Sequence, residues 1–461
     1  MCGVPPNLAP PMKDAGLKVT WEDLAKHNLP NDLWVAIRGK VYDLTQYQHR
    51  HPGGFRLMQL GAGRDVTHLF EAYHPLKVID SDILDKFLVG ELTTQEYPTY
   101  PPMSPFYRTL KQRVSAFLET HQMDAQYTQW GTQSVRLAMI VGMIVWFYCL
   151  SSLGPVFLPP ALASSTLAAV FFSMLAGSAR ALVGVQTMHD ASHGAWGNKP
   201  GLWNLCGVLC NDVLNGTSYY GWLHQHVLGH HLYCNSYGID PDVRPFPLRL
   251  TKDVEWQWYH RYQHIWAPLA YTLLSYSHRM EDFTFIMSKK WDSIRMAPVS
   301  FETMAGFWVG KLLFVMWQIV LPLYLNVSVQ HMLLCHIVAE MVGSYYLAIS
   351  FQANHVAEEV EFQTVTDGKV NEDWAEMQAR TTQDYGHGSW PTFLLTGGLN
   401  YQVVHHLLPG VSQLHYMAIQ PIVKQTCEEY GVKYNHRPTF MSAVASHLNH
   451  LWSLGCPPKQ E

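Results

Sequence analysis

The chain has 461 residues, of which 48% are hydrophobic and 13% aromatic but only 15% charged. An ordinary soluble domain carries about 25% charged residues, so much of this surface is built to face lipid or protein. A formal net charge of −5 with no Lys/Arg-rich run argues against a nucleic-acid partner. The eight cysteines form no C-x-x-C pair and read as packed, reduced thiols, which leaves the 25 histidines as the conspicuous chemistry.

Residues 1–17 are Pro-rich and predict disorder, and their lack of an apolar run predicts no cleavable secretion signal and a cytosolic start. From Lys18 the pattern becomes compact. VTWEDLAKHN reads as a strand end and a helix capped by Thr20, and WVAIRGKVYDLT as two strands around a turn at Gly39. Helical pieces separated by glycines follow, and the unit closes near Leu92 as a small α+β domain, residues 18–95. Its chemistry lies in His51, within H-P-G-G, and His74, 23 residues later in HLFEAYHP. Pro52 fixes the approach to the turn, and Gly53 and Gly54 permit it without a Cβ clash. These residues, with the strands before them, resemble the cytochrome b5 family. The resemblance covers Lys18 to Leu92 and implies a haem b held by His51 and His74 as axial ligands, passing electrons without binding oxygen.

Residues 96–134 read as a linker, a Pro-rich hinge from Glu96 to Pro105 followed by an amphipathic helix over Arg108–His121. That helix either lies on a membrane surface or packs as an ordinary helix. The remainder, 135–461, holds four apolar segments of membrane-spanning length, at about 135–154, 162–186, 303–325 and 330–352. The joints within each pair lack Lys and Arg, whereas the central stretch carries Lys252, Arg261, Arg279, Lys289, Lys290 and Arg295. The positive-inside rule then gives two hairpins with the joints lumenal and both termini cytosolic. On this topology the sequon Asn215 is cytosolic and unmodified, and Asn326 is lumenal but close to the bilayer. Arg180 either snorkels to the membrane edge or faces the protein interior.

Three histidine clusters fall on one side in this topology: HDASH (His189, His193), HQHVLGHH (His226, His230, His231) and QVVHH (Gln402, His405, His406). The four-residue spacing of His189/His193 and His226/His230 puts each pair on one helix face. Seven imidazoles and an amide exceed one zinc site and suit two metals that favour imidazole. His224 reads as a neighbour of the site or a surface residue, and His336 as a structural bond between membrane helices. Asp190, Asp240 and Asp242 are candidates for orienting ligating imidazoles.

With these boxes in order behind the haem-type unit, the chain resembles the front-end fatty-acid desaturases, membrane di-iron enzymes fused to cytochrome b5. The resemblance runs from Lys18 to Pro457, and Gln402 opening the third box is a mark of that branch. It implies an all-α membrane domain and two iron ions held by His189, His193, His226, His230, His231, Gln402, His405 and His406, with His355 as a further ligand outside the boxes. It also implies O2, NADH-cytochrome b5 reductase, an acyl-CoA or phospholipid-bound polyunsaturated substrate and the endoplasmic reticulum membrane. HQHVLGHHLYCN with DPDV, FQANHVAEEV, TTQDY and LNYQVVHHLLPGVSQLHY look most like Δ5 enzymes of fungal and microalgal type, which act on C20 acids to give arachidonate or eicosapentaenoate. Val403 and Val404 stand where many front-end enzymes carry Ile-Glu, which leaves metal binding undisturbed. Δ4, Δ6 and Δ8 activity, including sphingolipid Δ8 desaturation, stay open, as do a di-iron hydroxylase and a purely electron-carrying haem protein.

Overall fold

A computed structural model describes residues 16–126, 130–244 and 247–457. The disorder expected over 1–17 falls outside the described residues up to 15, while Leu17 already belongs to a strand.

The first unit is a five-stranded sheet made of β1 (Leu17–Val19), β2 (Asn28–Leu29), β3 (Asp32–Ile37), β4 (Lys40–Asp43) and β5 (Leu88–Leu92), in the order β1-β5-β4-β3-β2. Only the β1–β5 pair is parallel. The β3–β4 turn forms at Arg38 and Gly39, both at positive φ (53° and 75°), which glycine adopts without strain. Thr20 caps the helix Trp21–Leu24 by accepting from the Asp23 amide, as its sequence predicts. Alternation along β3 buries Leu33, Val35 and Ile37 against Phe70, Ile79 and Phe87. Ala36, on the other face, packs with Val19, Leu24, Val41 and Val89.

Among the described residues, four helices are long and apolar enough to cross a bilayer: Gly131–Leu150, Thr166–Ser192, Phe301–Tyr324 and Val329–His355. The second and fourth run several residues beyond the expected segments, and those extra turns carry His189 and His355. The second helix packs against both the first and the fourth. The approach to the fourth is close because Gly177 has no side chain; a Cβ there would lie 2.2 Å from the Ala339 carbonyl oxygen. Val135, Met139, Trp146, Trp308 and Leu312 leave broad apolar faces on the first and third helices exposed, as lipid contact requires.

Arg180 faces the interior. It pairs with Glu340 of the fourth helix at 2.7 Å, and Arg279 of the central stretch takes the other Glu340 oxygen at 2.8 Å. Lys311 of the third helix pairs with Asp282. Buried charges of this kind are tolerated only when matched, so the network ties three membrane helices to the central stretch. The Asn215 sequon is part of it, with its side-chain oxygen accepting from Arg180 and its carbonyl from Arg279. His336 bonds Gln318 across the third and fourth helices at 2.9 Å, as expected.

The linker helix, Pro105–Thr120, packs rather than lying on a membrane surface. Leu110, Val114 and Leu118 bury against Tyr416, Ile419 and Val423 of the helix Tyr416–Tyr430, and the Tyr107 hydroxyl donates to the Leu407 carbonyl at 2.8 Å. The haem-type domain is seated directly on the membrane domain. Arg295 donates to the Gly63 carbonyl and pairs with Glu96, while Arg64 donates to the Arg295 carbonyl. Gly54, at φ 79°, passes so near Pro200 that a Cβ would meet the proline ring at 2.7 Å. Thus the second H-P-G-G glycine serves both its own turn and a contact between domains.

Gly177→Ala is expected to destabilise the membrane domain by about 1–3 kcal/mol, the typical range for overpacking. A lower unfolding temperature of the purified protein in detergent is the measurement, and an unchanged one removes the close approach as a stability determinant.

Candidate haem and metal sites

His51 and His74 face each other across a gap in the first unit, Nε2 to Nε2 at 3.5 Å. His51 follows the turn of Gln48–Arg50, and His74 ends the helix Thr67–Tyr73, where its Nδ1 donates to the Phe70 carbonyl at 2.9 Å. That bond leaves the His74 Nε2 lone pair directed at His51. Burial, then repulsion from His74, pushes His51 down to about 4, and burial also lowers His74. Two neutral imidazoles presenting lone pairs to each other fit the two axial positions of a haem iron.

The three boxes converge at the ends of the membrane helices. The second helix widens into a π turn over Gly184–Met188 before His189–Ser192, with His193 closing it. The second box lies on another π stretch, Leu223–His230, where the His231 amide donates to the His226 carbonyl five residues back at 2.9 Å. That wider turn brings His231 over His226, where an α-helical turn would bring only His230. The third box forms the short helix Gln402–Leu407, and the Asp384 carboxylate accepts from the Val403 amide at its start.

Two groups of ligand atoms result, each with its members within 4.8 Å of one another: His189, His193, His226 and His405, then His230, Cys234, His355 and His406. His231 stands between them, grouped with His405 and His406. All seven box histidines are therefore brought together, and His355 joins the second group. Nε2 of His226 lies 3.1 Å from that of His189 and 3.0 Å from that of His193, and His405 meets His231 in the same way at 3.0 Å. Nitrogens crowded this closely share at most one proton per contact, and the remaining lone pairs repel unless a cation sits among them. Nε2 of His406 is buried with no hydrogen-bond partner among the described residues. Burial first, and the neighbouring imidazoles second, hold His226, His231, His405 and His406 well below the usual histidine range. Neutral rings are what metal ligation needs, so the donor set fits two metals.

Several outward nitrogens are held too, whereas Nδ1 of His231 is buried with no hydrogen-bond partner among the described residues. His230 Nδ1 donates to Asp240 at 3.1 Å, with Asp242 at 3.4 Å; burial alone would lower His230, but the two carboxylates outweigh it and raise it. His405 Nδ1 meets the Tyr416 hydroxyl at 3.0 Å, and His406 Nδ1 donates to Gln378 Oε1 at 2.7 Å. Trp222 stacks on His226, with centroids 4.4 Å apart. Asp190 departs from the expectation: its oxygens accept from Ser412 and the Gln413 amide, bracing the second membrane helix against the chain after box three. His224 is buried, not at the surface; it accepts from the Ala297 amide and bonds the Tyr220 carbonyl, which turns it away from the cluster. Gln402 places Nε2 2.9 Å from His355 Nε2 while its Oε1 accepts from Asn354. Oxygen ligation by Gln402 therefore requires the amide to be turned over.

Tyr416, Gln378 and Cys234 are parts of the site that sequence reasoning missed. Cys234 lies four residues after His230 and its Sγ is 3.5 Å from His355 Nδ1, so its spacing was a usable signal; Tyr416 ends the stretch that carries the third box, and Gln378, 28 residues before His406, has no local signal. The stretches FQANHVAEEV and TTQDY brace the third box. Asn354 donates to the Leu399 carbonyl, and Gln383 Nε2 donates to the Ala353 carbonyl at 2.6 Å.

Residues 20–93 match the family model described as cytochrome b5-like heme/steroid binding domain, and residues 164–438 match the model described as fatty acid desaturase. The chain is 42% identical to the acyl-lipid (8-3)-desaturase of Mortierella alpina, over 97% of this chain and 99% of that protein. Two Dictyostelium discoideum proteins are each 37% identical: acyl-lipid (8-3)-desaturase B (95% of this chain, 94% of that protein) and Delta(5) fatty acid desaturase A (96% and 95%). Converging histidine boxes, membrane helices and a docked haem-type domain thus meet in a chain that belongs to the fatty acid desaturase family, as a membrane-bound front-end desaturase fused to a cytochrome b5-like domain.

Proposed function

We propose that the protein introduces a cis double bond at Δ5 of C20 polyunsaturated acyl chains, converting 20:3 to arachidonate and 20:4 to eicosapentaenoate. The observation that carries the desaturation chemistry is the convergence of buried imidazoles from distant parts of the chain into two ligand groups. The names of the similar proteins, among them Delta(5) fatty acid desaturase A, support the Δ5 position.

In this reading His189, His193 and His226, with His405, hold one iron, and His230, His355 and His406 hold the other. His231 lies between the two, and Gln402 completes the set once its Oε1 faces inward. His51 and His74 hold the haem b. Bound there, the irons supply the O2-derived oxidant that an unactivated methylene demands, and the haem supplies electron transfer. The residues do the rest. Asp240, Tyr416 and Gln378 keep the imidazoles in one orientation, and the apolar walls around them exclude water. A small cavity beside the second box is lined by Met188, Trp222, Leu347 and Phe351 together with the polar Asn211, Ser218, His278 and Asp282. Electrons come from NADH through cytochrome b5 reductase, the substrate is an acyl-lipid or acyl-CoA, and the setting is the endoplasmic reticulum membrane with both termini cytosolic.

Yeast expressing the chain and fed defined C18, C20 and C22 polyunsaturated acids is expected to gain a double bond at C5 of 20:3, located by mass spectrometry. A new bond at C4, C6 or C8, or a hydroxylated product, refutes the Δ5 assignment. His226→Ala is expected to abolish product while leaving the haem absorption intact, whereas His51→Ala removes the haem spectrum and leaves the non-haem iron content unchanged. Joint loss in either variant argues against two separate metal-binding units.

A further inference from the structure

Tyr73 ends a helix of the haem-type domain and directly precedes His74, yet its hydroxyl lies 2.6 Å from Nδ1 of His193 in the first histidine box. The rings lie nearly parallel, with centroids 6.3 Å apart. Two features hold the phenol there. Lys111 Nζ donates to the Glu71 and Ala72 carbonyls just before it, at 2.6 and 3.2 Å, and Gly410 lies so close that a Cβ would come 3.2 Å from the Tyr73 ring. His193 Nε2 points the other way, 3.0 Å from His226 Nε2.

The outward nitrogens of His230, His405 and His406 are met by Asp240, Tyr416 and Gln378, all from the membrane domain. That of His193 is met across the domain boundary. We infer that Tyr73 is a positioning residue for the metal centre: the docked haem domain supplies the hydrogen-bond partner that orients His193. The inference rests on the reading of His193 as a metal ligand. With a metal on Nε2, Nδ1 must carry the proton, and it donates to the Tyr73 oxygen. His193 follows the last helical residue, Ser192, so little else on its own helix restrains the ring. Removing such a partner typically costs 10–100-fold in metal affinity. The metal centre is then fully assembled only when the domain that delivers electrons is seated on it.

The test uses the full-length protein in detergent and follows the iron-to-haem ratio and the rate of iron loss to ferrozine after reduction, with the haem absorption as a control for folding. Tyr73→Phe keeps the ring and removes only the hydroxyl. Tyr97→Phe removes a neighbouring bond, from the hinge just after the haem-type domain to the central stretch, between its hydroxyl and the Ser293 carbonyl at 3.0 Å. Tyr73→Phe is expected to lose iron about 10–100-fold faster, with an altered Mössbauer spectrum and an unchanged haem spectrum, while Tyr97→Phe behaves as wild type. Iron retention by Tyr73→Phe alongside rapid loss from His193→Ala overturns the inference and leaves the ligand reading standing. Equal loss from Tyr97→Phe also overturns it, by showing that any loosening of the interface suffices. Iron retention by His193→Ala removes the ligand reading itself.

Discussion

A cluster of neutral imidazoles with their ligating nitrogens about 3 Å apart does not hold together by its own attraction. The inner lone pairs repel, and each ring has lost the water it would otherwise bond. Something must fill the centre, and outer partners are needed to orient the rings. The two irons that the family implies would meet the first need. The second is met by Asp240, Asp242, Gln378 and Tyr416, and by the tyrosine that the haem-type domain lends to His193. Much of the architecture around the cluster follows from keeping those outer partners in place.

The membrane helices contribute by where they end. The second and fourth run on as helices beyond their apolar segments, so His189 and His355 sit on rigid backbone. The π turns at the first two boxes reset the direction of successive side chains, at the cost of weaker helical hydrogen bonding. Deeper in the bundle, the Arg180–Glu340–Arg279 network fixes the second and fourth helices relative to the central stretch. A membrane interior penalises any unmatched charge, so this network has few alternative arrangements.

The docking of the haem-type domain is equally specific. Gly54 against Pro200, Arg295 with Glu96 and the Gly63 carbonyl, and Lys111 on the helix that carries His74 seat it in one orientation. In that orientation the helix ending in His74 reaches the first box through the adjacent Tyr73. The linker helix, packed beneath it, makes the domain part of the same body.

Local chemistry was legible in the chain. Low charge and four apolar runs announced the membrane helices, and H-P-G-G with a second histidine and the three histidine boxes announced imidazoles that come together in the fold. Each is a short pattern whose physical meaning does not depend on distant residues. What the sequence alone left open were relations between distant parts. Arg180 could have met lipid headgroups or Glu340, 160 positions further on; Asp190 could have held an imidazole but braces Ser412 instead; and the linker helix could have lain on the bilayer. Nothing near Tyr73 in the chain marks it as a partner of His193, and nothing near Gln378 marks it for His406. Such contacts are set by how the domain and the helices pack, because a hydrogen bond depends on distance and direction in space and takes no account of separation along the chain.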